Sequence, residues 1–160
     1  FLLMKHMISL LAMLCFSLLA SVSAFAMDSD TLLNNPFRYR VLSTQPDGIV
    51  YVDMDSLQGL QTMDFPSSLE TIFCTLYVEK YGSTLDAMAI QRNKTIHQIN
   101  EYAADFHADK VKGTYTVSTK LTNVYTAKGK PYEVKVDTFQ FTRIKNTFIN
   151  LYRLSSLPKG

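Results

Sequence analysis

Beyond the first 26 residues, the side chains able to act as thiol nucleophile or imidazole base are Cys74, His97 and His107. A cysteine–histidine enzyme needs a thiolate made by an adjacent base at a partly exposed position. Cys74 instead lies in phase with Ile72, Leu76 and Val78 on the apolar side of a strand-like run, where a cysteine behaves as a small inert hydrophobe. It is therefore expected to be buried. His97, Glu101 and Asp105 recur every fourth residue, and Asp105-x-His107-x-Asp109 follows, but the spacing is not that of a zinc site. A solvated face accounts for the same residues. Asp53-x-Asp55 lacks the further oxygen ligands and the central glycine of a calcium loop and reads as a turn closure and cap. There is no phosphate-binding glycine loop, serine elbow or pair of carboxylates arranged for acid/base work, so no cofactor or metal is assigned.

These residues have to be positioned by a mostly β chain. Phe37 to Leu42 alternates, Gln45-Pro46-Asp47-Gly48 is turn chemistry, and Ile49 to Val52 is a β-branched return, which together predict a hairpin. Asp53 to Leu60 reads as a short loop or a turn of helix. Leu69 to Tyr81 is the longest strand candidate and is apolar on both faces, which predicts a central position with Cys74 inside. Residues 85–92 fit a weak strand or a helix. Ile96, Ile99, Ala103 and Phe106 fall at three- and four-residue spacings behind a Thr95-x-x-Gln98 capping box, and Gly113 is a suitable stop, so the spacing predicts a helix over Thr95 to Lys110. Thr114 to Thr126 alternates, Lys128-Gly129-Lys130-Pro131 turns, and Tyr132 to Phe141 is expected to return as a strand. A bulge near Asp137-Thr138 would keep Tyr132, Val134, Val136, Phe139 and Phe141 on the core side. Ile144, Phe148, Leu151 and Leu154 predict a short C-terminal helix near Thr147 to Leu154. Among the nine tyrosines, Tyr39, Tyr77, Tyr81, Tyr102 and Tyr152 are the ones expected to reach a surface, because a phenolic hydroxyl needs a partner or water.

The N-terminus supplies an address. Met4-Lys5-His6 is a positive start, Ile8 to Leu19 is an almost unbroken apolar run, and Ala24-Phe25-Ala26 is a small-x-small site before polar sequence begins. Residues 1–26 read as a secretory signal peptide, with Phe1 to Leu3 upstream of the start. The apolar run is shorter than the roughly 20 residues of a spanning helix, so no stable transmembrane anchor is expected after cleavage. Met27 to Pro36 reads as a loose polar leader, and residues 37–157 as one domain. Removing the signal lowers the formal charge from +2 to about +1, which leaves no electrostatic footprint for nucleic acid. A single remaining cysteine cannot form an intrachain disulfide. That fits a bacterial envelope protein held by its core better than a disulfide-stapled secreted module.

Tyr39-Arg40-Val41-Leu42, the Pro46-Asp47-Gly48 turn and Val50 to Leu57, together with Val124-Tyr125-Thr126-Ala127-Lys128-Gly129-Lys130, resemble the surface-adhesin protein E family. The resemblance implies a small exported domain with an antiparallel sheet and a helix packed on it, and a role in binding host matrix or serum proteins. This chain departs from the family in lacking the tryptophan of the first strand and a second mature cysteine, and the resemblance transfers no binding residue.

The expected fold is a single α+β domain, an antiparallel sheet covered on one face by the Thr95 to Lys110 helix. The expected role is non-enzymatic binding of a protein or extracellular-matrix partner in the periplasm or at the cell surface. The alternative is a small periplasmic enzyme or ligand carrier using Cys74 with His97 or His107. Recognition is expected on loops that the sheet holds in place, Met63 and Phe65 in Leu60 to Ser68 and Lys128 and Lys130 in Ala127 to Pro131. The sequence does not specify the oligomeric state.

Overall fold

The computed structural model describes residues 26–45, 48–60, 69–81, 96–133, 135, 137 and 139–155. The expected signal peptide, the Pro46-Asp47 turn, the loop with Met63 and Phe65, the ambiguous segment 85–92, and Val134, Val136 and Thr138 lie outside the described residues, as does the His97 side chain.

Among the described residues, six strands form one antiparallel sheet in the order β1-β2-β4-β5-β6, with β3 paired to β4 beside β2. The elements are helix α1 (Ser29–Asn34), β1 (Tyr39–Gln45), β2 (Gly48–Asp53), a 3-10 turn (Met54–Ser56), β3 (Gln58–Leu60), β4 (Leu69–Tyr81), β5 (Ile96–Asp109), β6 (Thr114–Tyr125) and helix α2 (Ile144–Ser155). The β1–β2 hairpin pairs as predicted, with Gln45 opposite Gly48; Tyr39 and Leu42 lie on opposite faces of the sheet, and a register shift between Val41 and Ser43 leaves Leu42 as the extra residue. β4 lies centrally between β2 and β5, with Ile72, Cys74, Leu76 and Val78 buried on one face.

The predicted helix over Thr95 to Lys110 is overturned. Ile96–Asp109 is a strand paired with β4 from Tyr81↔Ile96 to Leu69↔Asp109 and with β6 from Ile99↔Tyr125 to Asp109↔Thr114. Its buried residues Tyr102, Ala104, Phe106 and Ala108 fall at period two, which is strand geometry. Spacing of four residues keeps side chains on one face of a helix and of a strand alike. From Ile99 to Asp109, β5 instead has a long partner strand on both sides, and that pairing outweighs the capping-box signal.

The covering helix is α2, which begins three residues before the predicted span and places Phe148 and Leu151 in the main core with Leu42, Ile72, Leu76, Tyr102 and Phe106. Truncating the fully buried Leu151 to alanine costs about 2–5 kcal/mol by the usual scale for such sites. The returning strand over Tyr132 to Phe141 is also corrected. Pairing with β6 stops at one isolated bridge, Tyr125↔Pro131, and Tyr132 is exposed. Phe139 and Phe141 lie on the core face, where they stack edge-to-face at 4.9 Å and Phe141 meets Tyr102 at 5.7 Å.

The polar leader is corrected as well. Asp28 caps α1 by accepting from Thr31 N at 2.7 Å, and Met27 and Leu32 are buried against Tyr39, Tyr51, Tyr77, Ile99 and Tyr125 on the second face of the sheet. An acidic cap followed by one apolar residue per turn suffices for a helix this short once the sheet supplies the burial.

Candidate binding surfaces

The sheet separates Cys74 from His107. Cys74 pairs with Ala104 and points into the main core, and burial, then the nearby Asp105 charge, pushes its thiol pKa up to about 12. His107 pairs with Thr71, one position out of phase with the core pair Ile72↔Phe106, so it projects from the opposite face. There Thr71 Oγ1 lies 2.7 Å from His107 Nδ1. A buried thiol whose pKa is raised, with His107 on the other face, has neither the charge state nor the access of a nucleophile paired with that imidazole. Among the described residues, no group of three or more His, Cys, Asp or Glu gathers to hold a metal.

Asp53-x-Asp55 does close a turn. Asp53 Oδ1 accepts from Asp55 N at 3.1 Å, Ser56 Oγ donates to Asp53 O at 2.6 Å, and Arg38 bonds both Asp53 carboxylate oxygens at 3.2 and 3.3 Å. The local Asp and Ser pattern satisfies backbone groups that the short 3-10 turn leaves open.

Four of the tyrosines expected at a surface are buried, namely Tyr39, Tyr77, Tyr81 and Tyr102, while Tyr152 is exposed. Two of the buried hydroxyls find carboxylates: Tyr77 donates to Glu101 Oε1 at 3.2 Å, and Tyr102 to Asp137 Oδ1 at 2.7 Å. Glu101 Oε2 also accepts from Asn123 Nδ2 at 2.5 Å and Tyr125 OH at 3.3 Å. Three donors on one carboxylate from two neighbouring strands make a cross-strand clamp rather than an open acid. Alternation along β5 places Glu101 on this face, but its partners become visible only once β4 and β6 are known to flank it.

The Lys128 and Lys130 loop is a tight exposed turn. Gly129 takes a φ of 86°, Gly129 N donates to Thr126 O at 2.9 Å, and Thr126 N donates to Lys130 O at 2.8 Å. Ser29 N donates to Ala127 O at 2.9 Å, so this turn also anchors α1. Its two lysines are exposed, while Met63 and Phe65 lie outside the described residues.

One apolar surface is not visible from sequence reasoning. A groove of about 430 Å³ runs along the outer edge of β1, lined by Leu32 and Leu33 of α1, Pro36, Tyr39, Arg40, Val41, Tyr51 and Leu154 of α2. Helix α1 flanks it from one face of the sheet and α2 from the other. Leu33 and Val41 are 52% and 56% exposed, and neighbouring Phe37 is 84% exposed. Clustered apolar side chains at an unpaired strand edge are costly in water unless something binds them. Phe37 and Val41 were visible as apolar residues, but their place at an edge, and the approach of Leu154 from more than a hundred residues away, are tertiary facts.

Comparison with protein-family models, with curated proteins and with solved structures finds no match to this chain.

Proposed function

We propose that this chain is an exported bacterial envelope protein that acts by binding a protein or matrix partner rather than by catalysis, and that the groove along β1 is where an apolar segment of that partner seats. The observation that carries this reading is the groove itself, with Leu33, Phe37 and Val41 exposed around an edge strand between two helices. Apolar pockets beside the strand edge can seat the anchor side chains of a docked segment, as in other hydrophobic grooves. Export rests on the charged start, apolar run and small-x-small site of residues 1–26. Of the residues that resemble the surface-adhesin protein E family, Tyr39 to Leu42 and Val50 to Leu57 fall in β1, β2 and the 3-10 turn and Val124 to Lys130 at the end of β6 and the turn after it, and Tyr39, Val41 and Tyr51 of the first set line the groove. Met63, Phe65, Lys128 and Lys130 are proposed as additional contacts.

The experiment is capture of partners from envelope and host-surface fractions by the purified mature domain, compared with a Leu33→Ser/Val41→Ser variant and a Met63→Ser/Phe65→Ser variant. The groove variant should lose most of the captured partner while its melting temperature stays within a few degrees, since both side chains are more than half exposed. Capture equal to wild type would remove the groove from this role.

A further inference from the structure

The opposite edge of the sheet carries a second surface of different chemistry. We propose that the outer edge of β6 between Thr114 and Leu121 takes up an acidic, extended polypeptide segment as an added antiparallel strand.

Geometry makes this edge receptive. Among the described residues, β6 ends the strand order and pairs with β5 on one side only. Alternate residues of an antiparallel edge strand turn their N–H and C=O groups outward, ready for another chain. The far end of β6 already shows the edge in use. Tyr132 N donates to Val124 O at 2.9 Å, Lys135 Nζ donates to Thr122 O at 2.7 Å, and Pro131 bridges Tyr125. That self-pairing stops there, and no described residue makes a backbone bond to the outer side of Thr114 to Leu121. At about 3.3 Å per residue this stretch is roughly 26 Å long. Its pairing with β5 is unbroken from Asp109↔Thr114 to Tyr102↔Leu121, so the edge is regular. β1 contrasts with it: the shift between Val41 and Ser43 interrupts that edge, and Asn150 Nδ2 occupies Leu42 O at 3.4 Å.

Charge selects the occupant. Residues 1–109 hold six Lys and Arg against twelve Asp and Glu, whereas residues 110–160 hold ten against two, so a nearly neutral chain conceals a strongly basic C-terminal third. The described part of that third builds the β6 end of the sheet. Lys120 is exposed on β6, Lys112 stands in the turn before it, Lys135 reaches its upper edge, and Lys145 of α2 lies 5.7 Å over the Tyr115 ring. The two acids of this third are Glu133 and Asp137, and Asp137 is engaged by Tyr102 and Phe139 N. A second copy pairing β6 to β6 would bring these lysines together, which is unfavourable. An acidic strand gains instead, both in encounter rate and in cross-strand pairing.

Side-chain alternation specifies the segment further. Tyr115, Val117 and Leu121 are half-buried and pack on the main core, while Thr116, Ser118 and Lys120 face outward on the other side. An incoming strand with apolar residues at one parity would extend the core beside Tyr115 and Val117. Asp or Glu at the other parity would lie beside Thr116, Ser118 and Lys120; Asp105 of β5 stands across Ser118 on the same face, so the acids gain most beside Lys120. The fitting ligand is a segment of alternating apolar and acidic residues.

The test is fluorescence anisotropy on the purified protein with a labelled, end-blocked octapeptide alternating valine and glutamate, beside three comparison ligands: an alternating valine–lysine peptide, a valine–glutamate peptide N-methylated at alternate residues, and a single-stranded DNA oligomer. The proposal expects saturable binding of the first peptide, at least tenfold weaker binding of the other three, and at least tenfold loss with Lys120→Glu or with Lys112→Glu. The Leu33→Ser/Val41→Ser variant should bind the peptide as wild type does, because its groove lies at the other end of the sheet. Equal binding of the N-methylated peptide or the DNA would reduce the surface to a general polyanion patch and overturn the strand-addition proposal. So would no binding of the valine–glutamate peptide, or self-association in sedimentation that the lysine variants alter.

Discussion

Cys74 and His107 sit on neighbouring central strands but on opposite faces of one sheet, the thiol in the main core and the imidazole beside Thr71. No side-chain rotation brings them together, because the sheet backbone lies between them. Cys74 is buried and its thiol pKa is pushed up to about 12, so it should resist a thiol reagent in the native protein and react fully after denaturation. Cys74→Ser should cost about 1–3 kcal/mol by placing a hydroxyl among apolar side chains, read from chemical denaturation. Fast labelling of the folded protein would show that β4 is not where the structure places it.

Gly48 has a different reason to be glycine than turn flexibility. A Cβ at this position would meet Glu79 O at 2.6 Å and a Val78 methyl at 3.3 Å, because β2 starts directly against β4. Backbone cannot yield as a flexible side chain does, so Gly48→Ala must displace the end of β2. A destabilisation of about 1–3 kcal/mol is expected. Gly59→Ala, where a Cβ meets nothing within 4 Å, should leave the melting temperature almost unchanged.

The tyrosine-rich second face predicts how the fold ends at high pH. Burial, reinforced by nearby carboxylates, raises the phenol pKa values of Tyr51, Tyr77, Tyr81 and Tyr125, the last to about 12. Unfolded tyrosines titrate near 10. A group whose folded value is raised holds its stabilising contribution below the unfolded value and loses it as pH climbs toward the folded one. Stability should therefore be unaffected by these groups below about pH 9 and should fall steeply between about pH 10 and 12. Ultraviolet titration should show Tyr51, Tyr77, Tyr81 and Tyr125 ionising only as the circular dichroism collapses. Tyr125→Phe should shift that collapse to higher pH.

The contrast between β4 and β5 shows what this sequence makes legible. β4 is apolar at both parities, with Leu76 and Val78 on one face and Tyr77 on the other, and only a central strand explains that over thirteen residues. In β5, Ile99 and Tyr102 are both fully buried although they face opposite sides of the sheet, which counterfeits a three-residue helical step. The 132–141 segment was misread for a related reason: Phe139 and Phe141 do reach the core, but neither is in a strand. The surfaces divide the same way. The lysines around β6 were in plain view and were masked by summing charge over the whole chain. The β1 groove depends on Leu33 and Leu154 meeting at one edge, which local patterning does not encode.

Arg38 and Asp53 form an ion pair whose two halves should be unequal. The Arg38 side chain is 51% exposed and the Asp53 side chain 9%, so the attraction between them is screened and worth less than about 1 kcal/mol. Asp53 has a second task. Its Oδ1 accepts from Asp55 N at 3.1 Å at the start of the 3-10 turn, whose Ser56 Oγ in turn accepts from Thr75 N of β4 at 2.8 Å. Removing the carboxylate therefore opens a cap and loosens the turn that joins β2 to β3. Arg38→Ala should lower stability by under about 1 kcal/mol, and Asp53→Ala by about 1–2 kcal/mol. The double variant should lose little beyond Asp53→Ala alone, because Arg38 has its main partner in Asp53 and a half-exposed second one in Asp55 at 3.3 Å. Denaturant melts of the three variants give the comparison, and an Arg38→Ala cost equal to that of Asp53→Ala would place the stabilisation in the ion pair instead of the cap.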